Sequence, residues 1–148
     1  AGPTTTQPHL IQNSFRRLAE TRPIIYGHSQ MMDGRSYTGS TLPKSNVSLS
    51  RKYLLDVDGF DEAIPDGVEE SELGYRLNKQ LGLTVKYNAS LYCETSRVYD
   101  VDDFLKRQAI QGWSCHYMWK KHNDASFIHG DSNTPPHDMF FLALAPRV

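Results

Sequence analysis

The chain has 148 residues, 39% of them hydrophobic and 22% charged, with a formal net charge of −1. That suffices for one domain with a real core but not for two. The near-neutral balance argues against a nucleic-acid partner, and no run of basic residues suggests an anionic membrane surface. The longest strongly apolar run, 139–145, is far too short to span a bilayer. The small, polar start "AGPTTTQPHL" has neither the charged nor the apolar region of a signal peptide.

In chain order, the first seven residues read as a frayed tail. Residues 8–21 read as a short helix, with Leu10, Ile11, Phe15 and Leu18 at helical spacing. A strand is expected in 22–30, cut by Gly27. Residues 31–45 carry loop chemistry, and a loop of that length usually serves binding. From Asn46 an alternating stretch sets Val47 and Leu49 against Ser48 and Ser50, then passes into a short helix with Tyr53, Leu54 and Val57 on its apolar side. Residues 58–67 form a turn-rich loop, with Gly59 and Phe60 as a turn and its core anchor. Leu73, Leu77 and Leu81 draw one apolar line along a helix from Glu69 to Leu81, and Gly82 stands at the expected left-handed cap.

The alternation of Val85, Tyr87, Ala89 and Leu91 predicts one strand over 83–94 with a single buried face. Asp100 or Asp102 caps a last long helix to about His122, with Val101, Phe104, Leu105, Ala109 and Trp113 inward. Beyond Asn123 the chain reads as irregular until 139–145. This order of strands and helices gives an α/β fold class, with α+β as the alternative.

Cys93 and Cys115 are too few for a disulfide framework and read as reduced thiols of a cytoplasmic protein. Any membrane association would come from parts of a larger protein. Asn46-Val-Ser48 and Asn88-Ala-Ser90 match the N-glycosylation triplet, a short pattern that matters only in a secretory compartment. His116, His122, His129 and His137 lack the spacing of a zinc motif.

An ordered motif series runs through 42–122. Asn46, Ser48 and Arg51 are followed by Gly59, Phe60, Asp61 and Glu62. Then come Gly67, Glu69, Glu70, Glu72, Leu73, Arg76, Leu77, Gly82 and Tyr87, and finally the stretch "FLKRQAIQGWS". The series resembles the second, acceptor-side half of a family-2-type GT-A glycosyltransferase domain. The resemblance implies a partial GT-A-like fold, a small mixed sheet with flanking helices. It divides the chain into an N-terminal tail, helix and loop (1–41), a glycosyltransferase-like acceptor-side region (42–122) and a C-terminal extension (123–148), all one domain.

The family's donor-binding half, which ends in a metal-holding Asp-x-Asp, does not precede Asn46. The expectation is therefore part of a nucleotide-sugar-dependent enzyme that is inactive as an isolated chain. The partners implied are a sugar acceptor and a nucleotide-sugar donor. Mn²⁺ or Mg²⁺ is expected for the complete enzyme, with no metal held by this chain. The alternative is a non-catalytic, glycosyltransferase-derived module that binds glycan or protein.

The implied chemistry is inverting transfer, in which a carboxylate takes the proton of an attacking acceptor hydroxyl. Glu70 stands where the family has its base, an Asp, with Glu69 as helper or cap and Glu72 as an i,i+4 ion-pair partner of Arg76. An acidic first turn is equally what any well-started helix carries. Asn46, Ser48, Gly59, Asp61, Gln108 and Trp113 are the acceptor-binding candidates. For Asn46 and Ser48 a polar edge-strand face is an equal reading, and for Trp113 a core position. An incomplete sheet leaves an open edge, so a homodimer paired through it is expected; light scattering showing only monomer would contradict this.

Overall fold

Local sequence chemistry decides where the helices start and stop. In the computed structural model, which describes residues 1–11, 14–21, 31–38, 42, 46–64, 68–97 and 100–124, five segments besides β-strands are helical. A 3₁₀ turn spans Pro8–Leu10, α1 Ser14–Thr21, α2 Arg51–Asp56, α3 Glu69–Leu81 and α4 Val101–His122. The four strands are β1 Thr4–Thr6, β2 Ser36–Tyr37, β3 Val85–Lys86 and β4 Cys93–Thr95. The fold is thus mixed α/β. Asp100 caps α4, its Oδ1 accepting from the Asp103 amide at 2.8 Å, which satisfies one of the amides a helix start leaves open. Gly82 ends α3 at φ 66°. Its amide donates to the Asn78 carbonyl at 2.9 Å and the Leu83 amide to the Leu77 carbonyl at 3.3 Å, the paired closure that a left-handed glycine permits.

β1 pairs with β4 in parallel, Thr4 opposite Cys93 and Thr6 opposite Thr95. β2 pairs with β3 antiparallel, Ser36 opposite Lys86 and Tyr37 opposite Val85. The first residues are therefore not a frayed tail. The Ala1 ammonium donates to the Lys86 carbonyl at 2.9 Å, and the Asn88 amide donates to the Ala1 carbonyl at 2.8 Å. Thr4 and Thr6 are buried, and Thr4 Oγ1 lies 3.3 Å from Cys93 Sγ. Both cysteines are free thiols.

Two apolar clusters flank α3. One joins Leu42, Val57, Leu73 and Leu77, with Leu54, Leu83 and Val85 against it. The other joins Ile64, Val68 and Met118, with Tyr75, Cys115, Tyr117 and Trp119. α1 meets α4 through an edge-on contact of Phe15 and Phe104, 5.3 Å between ring centres.

Several expectations are corrected. The strand expected over 83–94 is two short strands separated by a turn at Ala89–Ser90, and Leu91 is exposed. Its alternation fails because Asn88 and Ser90 close a turn, the Ser90 amide donating to Asn88 Oδ1 at 2.9 Å. Val47 and Leu49 line no buried strand face, and Leu18, Tyr53, Phe60 and Leu81 are likewise exposed. On α4 the predicted inward residues Val101, Leu105, Ala109 and Trp113 are exposed. The buried positions are instead Ser114 and Met118, because only the C-terminal half of that helix lies against the second cluster. The strand expected in 22–30, Gly67 and the run 139–145 lie outside the described residues. Among those residues, no helix is long and apolar enough to cross a membrane.

Gly2 is where the backbones come closest. A methyl group there would lie 1.7 Å from the Leu91 carbonyl oxygen and 2.7 Å from its carbon. Gly2→Ala must displace main chain, and overpacking of this kind typically costs about 1–3 kcal/mol. Chemical denaturation should show that loss; an unchanged midpoint would mean that β1 does not dock as described.

Candidate functional site

At its fourth position α3 carries Glu72, whose side chain is fully buried. An isolated buried carboxylate is costly, so its partners decide whether the position is tolerable. Arg76, one turn later, gives its Nε to Oε1 at 2.9 Å and to Oε2 at 2.8 Å, and its Nη2 lies 2.7 Å from Oε2. Lys121 Nζ donates to Oε1 at 3.2 Å, and His122 Nε2 lies 2.9 Å from the same oxygen. Residues about fifty positions apart thus share one carboxylate.

The network continues into the loop after α2. Asp58 and Gly59 both adopt left-handed backbone, at φ 61° and 71°, which an Asp tolerates and a Gly favours. The turn presents its carbonyls to the guanidinium: Arg76 Nη1 donates to the Val57 carbonyl and Nη2 to the Gly59 carbonyl at 2.7 Å. Asp61 accepts from the Ala63 amide at 3.1 Å and binds Lys121 Nζ at 2.5 Å. Beside this, the Tyr75 hydroxyl donates to Asp124 Oδ2 at 3.0 Å, and the Tyr75 ring lies 4.8 Å from that of His122. Lys79 is 3.8 Å from Asp124.

The charges respond accordingly. Burial pushes the Glu72 carboxyl up, but hydrogen bonds and charge from Arg76 and then Lys121 outweigh it, leaving its pKa below the ordinary value. The hydrogen bond from Lys121 lowers the pKa of Asp61. Burial lowers that of Lys121, yet its bonds to Asp61 and Glu72 leave it raised. Burial and the bond to Asp124 push Tyr75 up to about 12.

The candidates from sequence are spread over several places. Gly59 and Asp61 belong to the network, through a carbonyl and a carboxylate. Glu69 and Glu70 form the start of α3, half-buried, with Glu70 Oε2 shut off from solvent. Asn46 lies elsewhere: its Nδ2 donates to the Pro3 carbonyl at 3.1 Å and to the Leu91 carbonyl, so it fastens the N-terminal segment. Ser48 is exposed and Gln108 half-buried. Trp113 is 60% exposed and stacks near-parallel on Tyr117, 6.2 Å between centres; it is no core residue. Nothing local in the sequence links Lys121 and His122, at the end of α4, to α3. The i,i+4 spacing does signal the Glu72–Arg76 pair.

Among the described residues, no group of three or more His, Cys, Asp or Glu side chains is arranged to hold a metal ion. Comparisons with protein families, with curated proteins and with solved structures find no match for this chain.

Glu72→Gln should cost about 3–5 kcal/mol, since it leaves the partly buried Arg76 guanidinium without its counter-charge. Depressed carboxylate pKa values mean that Glu72 and Asp61 stabilise the fold above their unfolded pKa, about 4. That stability is lost as pH falls through the lower folded values. Raised values act oppositely: Lys121 and Tyr75 contribute fully below their unfolded pKa, about 10, and the contribution is lost as pH rises through the folded values. Denaturation midpoints against pH should therefore fall at both ends, and Glu72→Gln should flatten the acid limb. A loss under about 1 kcal/mol, as for surface pairs, with an unchanged acid limb would contradict the buried network.

Proposed function

We propose that this chain is the acceptor side of a nucleotide-sugar-dependent glycosyltransferase that inverts configuration on transfer to an acceptor hydroxyl. The motif series supports this reading. The observation that carries it is Arg76, which ties the Gly59–Asp61 segment of the series to the helix that the next segment begins. Two pieces that the resemblance treats as parts of one site are thereby joined rigidly, with Glu69 and Glu70 one turn before the joint.

In this reading Glu70 takes the proton of the acceptor hydroxyl as that oxygen attacks the anomeric carbon, and the nucleoside diphosphate leaves. A positioned general base contributes roughly 10²–10⁴-fold. Glu69 is its neighbour in the first turn, and Glu72 serves structure.

The exposed Trp113, stacked on Tyr117, favours a second reading, a glycan-binding module without catalysis, since sugar rings pack on such aromatic faces. Saturation-transfer NMR against a saccharide panel, with parallel titration of UDP and GDP in Mn²⁺, tests both. The transferase reading expects saccharide binding that Glu70→Gln weakens several-fold. Binding weakened by Trp113→Ala but indifferent to Glu70→Gln would select the module. Binding of neither saccharide nor nucleotide would overturn the transferase reading.

A further inference from the structure

The two Asn-x-Ser triplets look alike in sequence, and the fold treats them oppositely. At Asn46 both amide hydrogens are engaged, one by the Pro3 carbonyl and one by that of Leu91. Its own carbonyl accepts from the Gly2 amide at 3.1 Å. A glycosyl group on Asn46 Nδ2 would replace one of those hydrogens at the crossing where Gly2 leaves no room for a methyl.

Asn88 stands on the outside of the turn between β3 and β4. Asn88, Ala89 and Ser90 are all exposed, as are Leu91 and Tyr92 just beyond, at 56% and 69%. The turn is held by the backbone and by the Asn88 carbonyl groups: the Leu91 amide donates to the main-chain oxygen at 3.2 Å, and the Ser90 amide to Oδ1 at 2.9 Å. None of these bonds uses Nδ2, so substitution there costs the fold no hydrogen bond.

We propose that the folded chain presents one acceptor site for N-linked glycosylation, Asn88, and that the Asn46 triplet is closed by the fold. The co-substrate is a lipid-linked oligosaccharyl diphosphate. Asn88 Nδ2 forms a bond to C1 of the first sugar and the bond from C1 to the diphosphate oxygen breaks. The lipid diphosphate departs with that electron pair, and one Nδ2 proton passes to a base of the transferring enzyme. Nothing is oxidised or reduced. Surface loops are where such glycans are accommodated. This site is independent of the glycosyltransferase reading, and it is used only where the chain enters a secretory compartment, against the cytoplasmic expectation drawn from its two cysteines.

The test incubates the purified, folded chain with a single-subunit oligosaccharyltransferase and its lipid-linked oligosaccharide, then reads intact mass and maps peptides. One glycan per chain on Asn88 is expected, lost in Asn88→Gln and in Ser90→Ala. Ser48→Ala, which removes the other triplet and keeps the Asn46 amide, should leave the modification unchanged. A glycan on Asn46 of the folded chain would overturn the proposal. So would an unmodified Asn88 under conditions in which a peptide of residues 84–94 is glycosylated.

Discussion

A single buried carboxylate organises the described core. Glu72 has no access to water, and its desolvation would be prohibitive without compensation. Arg76, Lys121 and His122 surround it, so its tolerance depends on α3 and the end of α4 arriving together. The two apolar clusters on either side of α3 supply the burial, and none of the interactions that hold Glu72 comes from them. Hydrophobic contact brings the elements together, and the carboxylate restricts how they meet.

Arginine matters in that arrangement because of its shape. One planar guanidinium serves the Glu72 carboxylate along one edge and two loop carbonyls along another, and an ammonium group has no such fork. The turn at Asp58–Gly59 points those carbonyls inward. Lys121 adds a second tie from Asp61 to Glu72. The loop after α2 is thus held to α3 and α4 by charge-assisted bonds, although Phe60 within it stays exposed. That fixed joint lies one turn from Glu69 and Glu70, the residues on which the proposed proton transfer rests.

The N-terminal segment shows how little local propensity decides where a strand has no partner of its own. Thr4–Thr6 has no hydrophobic alternation, and only the edge offered by Cys93–Thr95 makes it a strand. Asn46, which looks like a ligand-facing polar residue, spends its amide on joining that segment to the β3–β4 turn. The apolar residues of α4 were legible as a helical stripe, but periodicity cannot say which stretch of a stripe finds a partner. Among the described residues Phe104 meets Phe15 near the start of the helix and the last turns join the second cluster, while Trp113 lies between them.

What the sequence determined by itself is what depends on neighbours a few positions away. The bounds of α3, its glycine stop, an aspartate cap of α4 at 100 or 102 and the Glu72–Arg76 pairing all follow from short-range geometry. The mixed α/β class followed from the order of such elements. The tertiary structure alone decided that Glu72 is sealed from water, that Lys121 and His122 complete its shell, that β1 is a strand and that Asn46 and Asn88 have opposite fates. Each of those outcomes needs residues from about forty to ninety positions apart to meet, and the desolvation that makes them matter exists only once the chain has closed around them.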